Sequence, residues 1–179
     1  MSDGQTAPEI HLELYVRSLV PRGACECQRT VLRRLQGLAD DGAIDSFEVT
    51  VWGRGIRPST AAQTATGKEL QQLVESFAEW AQERGLTLRP RFERRSVRSR
   101  MADETYDAIY FPAMALAVFQ DGDLAFVAPC ADGTTVYTVG DVIDAFEVGG
   151  ADGVDRLDPA RLPVGGSTRT VHEATPTDG

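Results

Sequence analysis

The stretch FPAMALAVFQDGDLAFVAPCADGTTVYTVGDVIDAFE, which covers residues 111–147, decides the fold because it holds a β-hairpin and a helix in direct succession. Two apolar runs, residues 113–119 and 124–128, flank Asp121 and Gly122. An Asp-Gly pair between two apolar runs is a strong signal for a tight hairpin turn. The centre of the stretch therefore predicts two antiparallel strands.

Alternating strands and helices precede this hairpin. Residues 10–17 alternate apolar and polar side chains, which predicts a half-buried strand. Apolar spacing then predicts a helix over residues 27–39, a strand over 45–52, the longest helix over 67–84 and a third strand over 86–93. Such an alternation is typical of an α/β domain with parallel crossover connections.

Two of the helices carry start signals. Thr138 and Asp141 have the spacing of a capping box, in which two side chains bind the first free N–H groups of a helix. Thr66 and Glu69 have the same spacing at the start of the longest helix, and Gly149 is a stop signal for the closing helix. The closing helix places these apolar residues on one face: Val139, Val142, Ile143 and Phe146.

The order of these elements resembles a thioredoxin-like domain in which a basic segment, residues 94–105, replaces one helix. The resemblance implies a single α/β domain over residues 9–148, with a mixed sheet, a C-terminal β-hairpin and a closing helix. Residues 1–8 are expected to form a flexible N-terminus. Residues 149–179, rich in Gly, Pro, Asp and Thr, are expected to form a disordered acidic tail.

A first placement of the resemblance, similar to glutaredoxins, assigns thiol chemistry to this chain. Cys25 and Cys27 then stand at the start of a helix, where unpaired N–H groups acidify a thiol. The resemblance implies that Cys25 attacks, that Cys27 resolves, and that Pro112 follows a cis peptide bond and shapes the substrate groove. The family has two residues between its cysteines, whereas this chain has one. This placement predicts a thiol-disulfide oxidoreductase.

A second placement makes residues 45–52 the active-site strand, and it accounts better for the predicted third strand. The active-site loop then contains Trp52, Arg54 and Arg57 but no cysteine. This placement, which we prefer from the sequence, predicts a degenerate binding or regulatory domain without efficient thiol catalysis. Cys130 lies near the same end of the sheet in both placements. It is a candidate binding residue, although a lone cysteine is usually a small buried residue.

An arginine-rich segment carries a third hypothesis. Seven arginines lie between residues 84 and 100, against one acid in that interval, and Arg94, Arg95 and Arg98 are its candidate binding residues. Arginine pairs well with phosphate, so the segment from Arg89 to Arg100 would suit a nucleic-acid-linked regulator. The sequence shows no recognition helix or glycine-rich phosphate loop beside it. We therefore expect the arginines to pair with acids, and we consider a nucleic-acid partner disfavoured.

The composition bounds the remaining possibilities. The net charge is -9, and Lys68 is the only lysine beside 17 arginines, as in proteins of salt-adapted organisms. The phrases HLELYVRSLVPRG, SFEVTVWGRGI and LAVFQDGDLAFVAPC resemble small uncharacterised haloarchaeal proteins that are sometimes labelled helix-turn-helix. With no secretory signal and no apolar run of about 20 residues, we expect a cytoplasmic protein without membrane contact. We expect no cofactor and no metal, and a protein or small molecule as the partner.

Overall fold

The computed structural model describes residues 7–19, 25–88, 92–101 and 103–157, and it confirms an α/β fold. The strands of these residues are β1 (Ile10–Val16), β2 (Ser46–Val51), β3 (Gly55–Ile56), β4 (Glu93–Ser99), β5 (Glu104–Tyr110), β6 (Met114–Gln120), β7 (Asp123–Ala128), β8 (Cys130–Ala131) and β9 (Val136–Tyr137). The helices are α1 (Cys25–Asp40), α2 (Pro58–Ala61), α3 (Ala65–Glu83), α4 (Val139–Gly149) and α5 (Gly153–Arg156), with a 3-10 turn at Gly150–Asp152.

The main sheet has the strand order β2-β1-β6-β7. Strand β1 is parallel to β2 and antiparallel to β6, and β6 and β7 form the predicted hairpin. Asp121 and Gly122 both have positive φ, 53° and 86°, so the turn is of the mirror-image type that matches the twist of a hairpin. The C-terminal half of β1 is buried on both faces, as the exposures of Leu14 (0%) and Tyr15 (3%) show, whereas His11 and Glu13 in its first half are only half-buried.

The long helices bury the faces that the sequence predicts. In α4 the buried residues include Val142, Ile143 and Phe146, and the Thr138–Asp141 capping box is formed. The capping prediction for α3 is wrong, because Thr64 is its N-cap and accepts a hydrogen bond from the backbone N–H of Gly67. The helix starts two residues earlier than predicted because the chain enters it from α2 after only three residues, 62–64.

The hairpin sheet, which we define as strands β3, β4 and β5 in the order β3-β5-β4, corrects two predictions. Residues 94–105, predicted as a basic segment in place of a helix, lie in the antiparallel hairpin β4–β5. Of the predicted third strand over 86–93, residues 89–91 lie outside the described residues and the described ones do not join the main sheet; Thr87 makes an isolated bridge to Ala131 of β8. The argument that favoured the second placement depended on this strand, so that argument is wrong.

The predicted cis bond between Phe111 and Pro112 is also wrong. Among the described residues the cis peptide bond is Ala128–Pro129. Phe111 continues directly from β5, its N–H donates to the carbonyl of Arg54, and its carbonyl accepts from the Arg17 guanidinium. These contacts hold the connection from β5 to β6 in place.

The C-terminal segment is more ordered than the sequence predicts. Residues 150–157, assigned there to the disordered tail, form the 3-10 turn and α5. Leu157 is only 2% exposed, and Gly153 packs so closely on Phe146 that an added Cβ would lie 2.5 Å from the ring. Residues 158–179 lie outside the described residues, as do residues 1–6. The closing helix is therefore covered at its end by its own following segment.

Candidate binding surface on the hairpin sheet

One face of the hairpin sheet carries tyrosines and arginines together. The register pairs Glu93 with Tyr110, Arg95 with Ala108, and Val97 with Tyr106. Directly opposite residues share a face of a sheet, so Arg95, Tyr106 and Tyr110 point to the same side. The guanidinium carbon of Arg57 lies 3.6 Å from the ring centre of Tyr106, and that of Arg95 lies 6.0 Å from the ring centre of Tyr110. We call the four side chains of Arg57, Arg95, Tyr106 and Tyr110 the Tyr–Arg face.

The Tyr–Arg face is accessible. Tyr110 is 39% exposed, although it stands at the base of the hairpin next to the core, and Arg57 and Arg95 are exposed as well. A cation over an aromatic ring is attracted by the negative face of the ring, with about 0.5–1 kcal/mol at exposed sites. The contacts therefore favour rotamers that place both guanidinium groups over rings.

Ion pairs neutralise much of the charge of the hairpin. Arg95 lies 2.6 Å from Glu93, and Arg98 lies 3.0 Å from Asp103. The hydrogen bond from Arg95 lowers the pKa of Glu93 and raises the pKa of Arg95. The described part of the hairpin contains four arginines and four acids, namely Arg94, Arg95, Arg98 and Arg100 against Glu93, Asp103, Glu104 and Asp107. Its local net charge is therefore close to zero.

The remaining candidate arginines differ in their surroundings. Arg54 is exposed in the loop before β3, and its backbone carbonyl accepts from Phe111. Arg94 is exposed and has no ion-pair partner within residues 92–101 or the other described ranges. Arg89 and Arg91 lie outside the described residues. The sequence predicts one arginine cluster, whereas the alternation of β4 sends Arg94 and Arg98 to one face and Arg95 to the other.

Trp52 is a core residue and does not belong to the surface. It is 3% exposed and stacks between Tyr15, at 5.1 Å between ring centres, and Phe111, at 4.6 Å. Phe92 meets its edge at 5.6 Å. Its indole N–H has no hydrogen-bond partner among the described residues. The cluster joins β1 and β2 to the base of the hairpin sheet, so Trp52 positions that sheet.

The two cysteine side chains that the structure describes, Cys27 and Cys130, are not paired with each other. Cys130 is 2% exposed, and burial followed by the charge of Asp132 raises the pKa of its thiol to about 12. Cys27 is exposed in the first turn of α1, and both thiols are free. Cys25 is the first residue of α1, and its side chain lies outside the described part. Pro112 is buried just before β6.

A short helix, α2, which the sequence analysis missed, follows the first strand of the hairpin sheet and forms a pair with the predicted helix α3. The four-residue helix α2 and the 19-residue helix α3 are separated by residues 62–64. A Cβ added at Gly67 would lie 2.3 Å from the carbonyl oxygen of Ala61, so only glycine permits this approach of the two helices. Pro58 at the start of α2 was the available signal, because proline is favoured in the first helical turn.

Within the described ranges, no group of His, Cys, Asp and Glu side chains has the arrangement of a metal site. No helix in the same ranges is long and apolar enough to span a membrane.

The comparisons with known proteins give a family. Residues 5–151 match a family described as a helix-turn-helix domain, and this match covers well over half of the chain. The chain belongs to this family. No curated protein and no solved structure matches it. In this helix-turn-helix family member, α2, the turn 62–64 and α3 lie inside the matched range.

The exposed surface of α3 is acidic in this family member. Lys68 stands near its start, and the acids of the helix are Glu69, Glu75, Glu79 and Glu83. Its buried residues, which include Phe77 and Trp80, face the main sheet, where the indole N–H of Trp80 donates to the carbonyl of Ala125 at 3.2 Å. The helix that follows the turn is therefore a core helix with a negatively charged outer face.

Proposed function

We propose that this chain is a binding or regulatory domain that acts without efficient thiol catalysis and recognises a protein partner through the Tyr–Arg face. The observation that carries the proposal is the pair of guanidinium–ring contacts on an outlying sheet, Arg57 on Tyr106 and Arg95 on Tyr110. Tyrosine and arginine are enriched at protein interfaces and among the residues that dominate binding energy. Side chains that are already held in place lose less entropy when a partner binds.

A protein partner fits this surface better than nucleic acid does. Binding to phosphates draws its free energy from unpaired cations that displace counterions. Arg95 and Arg98 are paired with Glu93 and Asp103, so these two arginines bring little unpaired charge. The tip residue Met101 is fully exposed and adds apolar area of a kind that protein interfaces favour.

The layout of the main sheet supports a thioredoxin-like arrangement, in the first of the two placements, which is similar to glutaredoxins. Strand β1 lies between β2 and β6, and helix α1 follows β1. In that placement Cys25 and Cys27 stand at the family's active-site position, with one residue between them instead of two.

The acidic composition, with a net charge of -9 and a single lysine, supports a haloarchaeal and cytoplasmic origin.

Thiol catalysis is the alternative that this layout raises. Cys130, with a pKa of about 12, supplies no thiolate at neutral pH, and a one-residue spacing departs from the redox pattern. We expect the wild-type chain and the double variant Cys25→Ser, Cys27→Ser to show the same background rate in an insulin-reduction assay. A wild-type rate that clearly exceeds the background and disappears in the double variant would assign the function to the thiols.

The protein-partner proposal is tested by affinity purification of the tagged chain from cells of its source organism at molar salt. Arg95→Ala and Tyr110→Ala should reduce the amount of a co-purified protein about tenfold or more, as expected for residues that dominate an interface. Arg98→Ala is the matched control, because Arg98 lies on the same strand, faces the opposite side and is also ion-paired. Equal losses in Arg95→Ala and Arg98→Ala would indicate a general charge effect and contradict a specific face.

Nucleic-acid binding is a second candidate, favoured by the α2–turn–α3 pair and the helix-turn-helix family. The acidic residues of α3 argue against it, since Glu69, Glu75 and Glu79 would face phosphates. A mobility-shift assay with double-stranded DNA separates the candidates. A shift that persists at molar salt and depends on Lys68 would support a DNA-reading helix, whereas we expect no shift at that salt.

A further inference from the structure

We infer that a groove on the opposite side of the hairpin sheet binds a small amphipathic anion, with an apolar body and a carboxylate or similar head. The groove lies between the C-terminal half of α3 and the base of the hairpin, and it encloses about 510 Å³. Ligand sites for small molecules have volumes of about 300–1,000 Å³, with mostly apolar linings and a few polar groups that orient the ligand.

The lining of this groove is mostly apolar. It includes Val74 and Ala81 of α3, Leu86, Phe92 and Ile109 of β5, and its polar side chains besides Arg94 are Gln82 and Thr87. Such a lining stabilises a hydrocarbon or aromatic group in proportion to the area removed from water, about 25 cal/mol per Å². The shape and lining therefore specify the apolar part of the ligand.

Arg94 supplies the charge. It is directly opposite Ile109 in the β4–β5 register, so both side chains lie on the groove side of the sheet. Its neighbours in the strand, Arg95 and Arg98, have carboxylate partners, whereas Arg94 has none among the described residues. A guanidinium beside an apolar groove is complementary to an anionic head group, which it binds in a two-pronged arrangement.

The site is separate from the Tyr–Arg face. Successive residues of a strand point to opposite sides, so Arg94 serves the groove and Arg95 serves the Tyr–Arg face. Failure of partner binding would leave this inference standing, and failure of ligand binding would leave the partner proposal standing.

Decanoate is the probe, used below its micelle concentration with the full chain, and binding is followed by isothermal titration calorimetry. We expect saturable binding of decanoate, and weaker or no binding of decyltrimethylammonium, which has the same tail and the opposite charge. Equal binding of the two probes would overturn the role of Arg94, and the absence of saturable decanoate binding would overturn the site.

Variants locate the binding. Arg94→Gln should weaken decanoate binding about tenfold or more, because a charge-assisted hydrogen bond is lost. Arg98→Gln, on the same strand and the same face but further from the core, should leave it unchanged. Ala78→Leu places a larger side chain in the groove from an exposed position of α3 and should abolish binding without lowering the melting temperature. Unchanged binding in Ala78→Leu would place decanoate elsewhere and overturn the inference.

Discussion

Gly67 and Gly37 are both helical glycines, and the structure predicts opposite effects when each is replaced by alanine. Gly37 lies in α1, and a Cβ added there would have no atom within 4 Å. Gly67 lies in the first turn of α3, and a Cβ there would lie 2.3 Å from the carbonyl oxygen and 2.7 Å from the Cα of Ala61. The second glycine is therefore needed for the contact between α2 and α3.

The magnitudes follow from these contacts. Gly37→Ala should raise the free energy of unfolding by about 0.5–1 kcal/mol, because alanine loses less backbone entropy than glycine in a helix. Gly67→Ala gains the same helix preference, but it must displace backbone atoms of α2, and such overpacking costs about 1–3 kcal/mol. It also disturbs the hydrogen bond from the Gly67 N–H to Thr64, an N-cap contact with a typical contribution of about 1 kcal/mol. We expect a net loss of about 1–2 kcal/mol.

Urea unfolding followed by far-ultraviolet circular dichroism measures both variants against the wild-type chain. For a chain of this size, 1 kcal/mol corresponds to a melting-temperature change of about 2–4 °C, so thermal unfolding provides a second measurement. The two variants should move the midpoint in opposite directions. A stabilising effect of Gly67→Ala as large as that of Gly37→Ala would refute the close packing of α2 on α3.

Three further predictions concern the charges, the thiols and nucleic acid. Hydrogen bonds from Arg34 lower the pKa of Glu147 below its ordinary value of 4.5, so Glu147 stabilises the fold at neutral pH. In thermal unfolding, the stability difference between the wild type and Glu147→Gln should therefore persist from pH 7 down to 4.5 and shrink as the pH falls further and Glu147 is protonated. A difference that stays constant with pH would contradict the pairing. Iodoacetamide should modify the exposed Cys27 at pH 8 and should modify the buried Cys130 only in denaturant, as read by mass spectrometry of peptides. Double-stranded DNA should show no mobility shift with the chain at molar salt, and a sequence-selective shift there would favour the nucleic-acid candidate.

Local signals in the sequence were sufficient where a few neighbouring residues determine the backbone. Asp121 and Gly122 adopt the positive φ angles that the hairpin turn requires, and Thr138 with Asp141 forms its capping box, because both depend on contacts within four residues. The cap of α3 was wrong because Thr64 and Thr66 are both able to cap a helix, and the arrival of the chain from α2 decides between them.

Long-range pairing was the part that the sequence patterns missed. Strand β4 has arginines and serines on both faces, so it lacks the apolar alternation that identifies a strand, and only its pairing with β5 makes it one. The sequence left Trp52 as a candidate binding residue although a tryptophan there is more typical of the core, and only the packing of Tyr15 and Phe111, which lie far apart in the chain, decides for the core. Arg57 and Arg95 were candidate binding residues, but their tyrosine partners were missed, since Arg57 meets Tyr106 only in the folded chain.

Site-specific photocrosslinking tests most directly whether the Tyr–Arg face is the surface that contacts a protein. Benzoylphenylalanine is placed at Tyr110 in one chain and, as a control, at Ser76 on the exposed side of α3 in another, and both are irradiated in cells of the source organism. We predict a discrete crosslinked species from position 110 that is lost when Arg95→Ala is added, and none from position 76. A crosslink from position 76 alone, or one from position 110 that is unaffected by Arg95→Ala, would contradict the proposed surface.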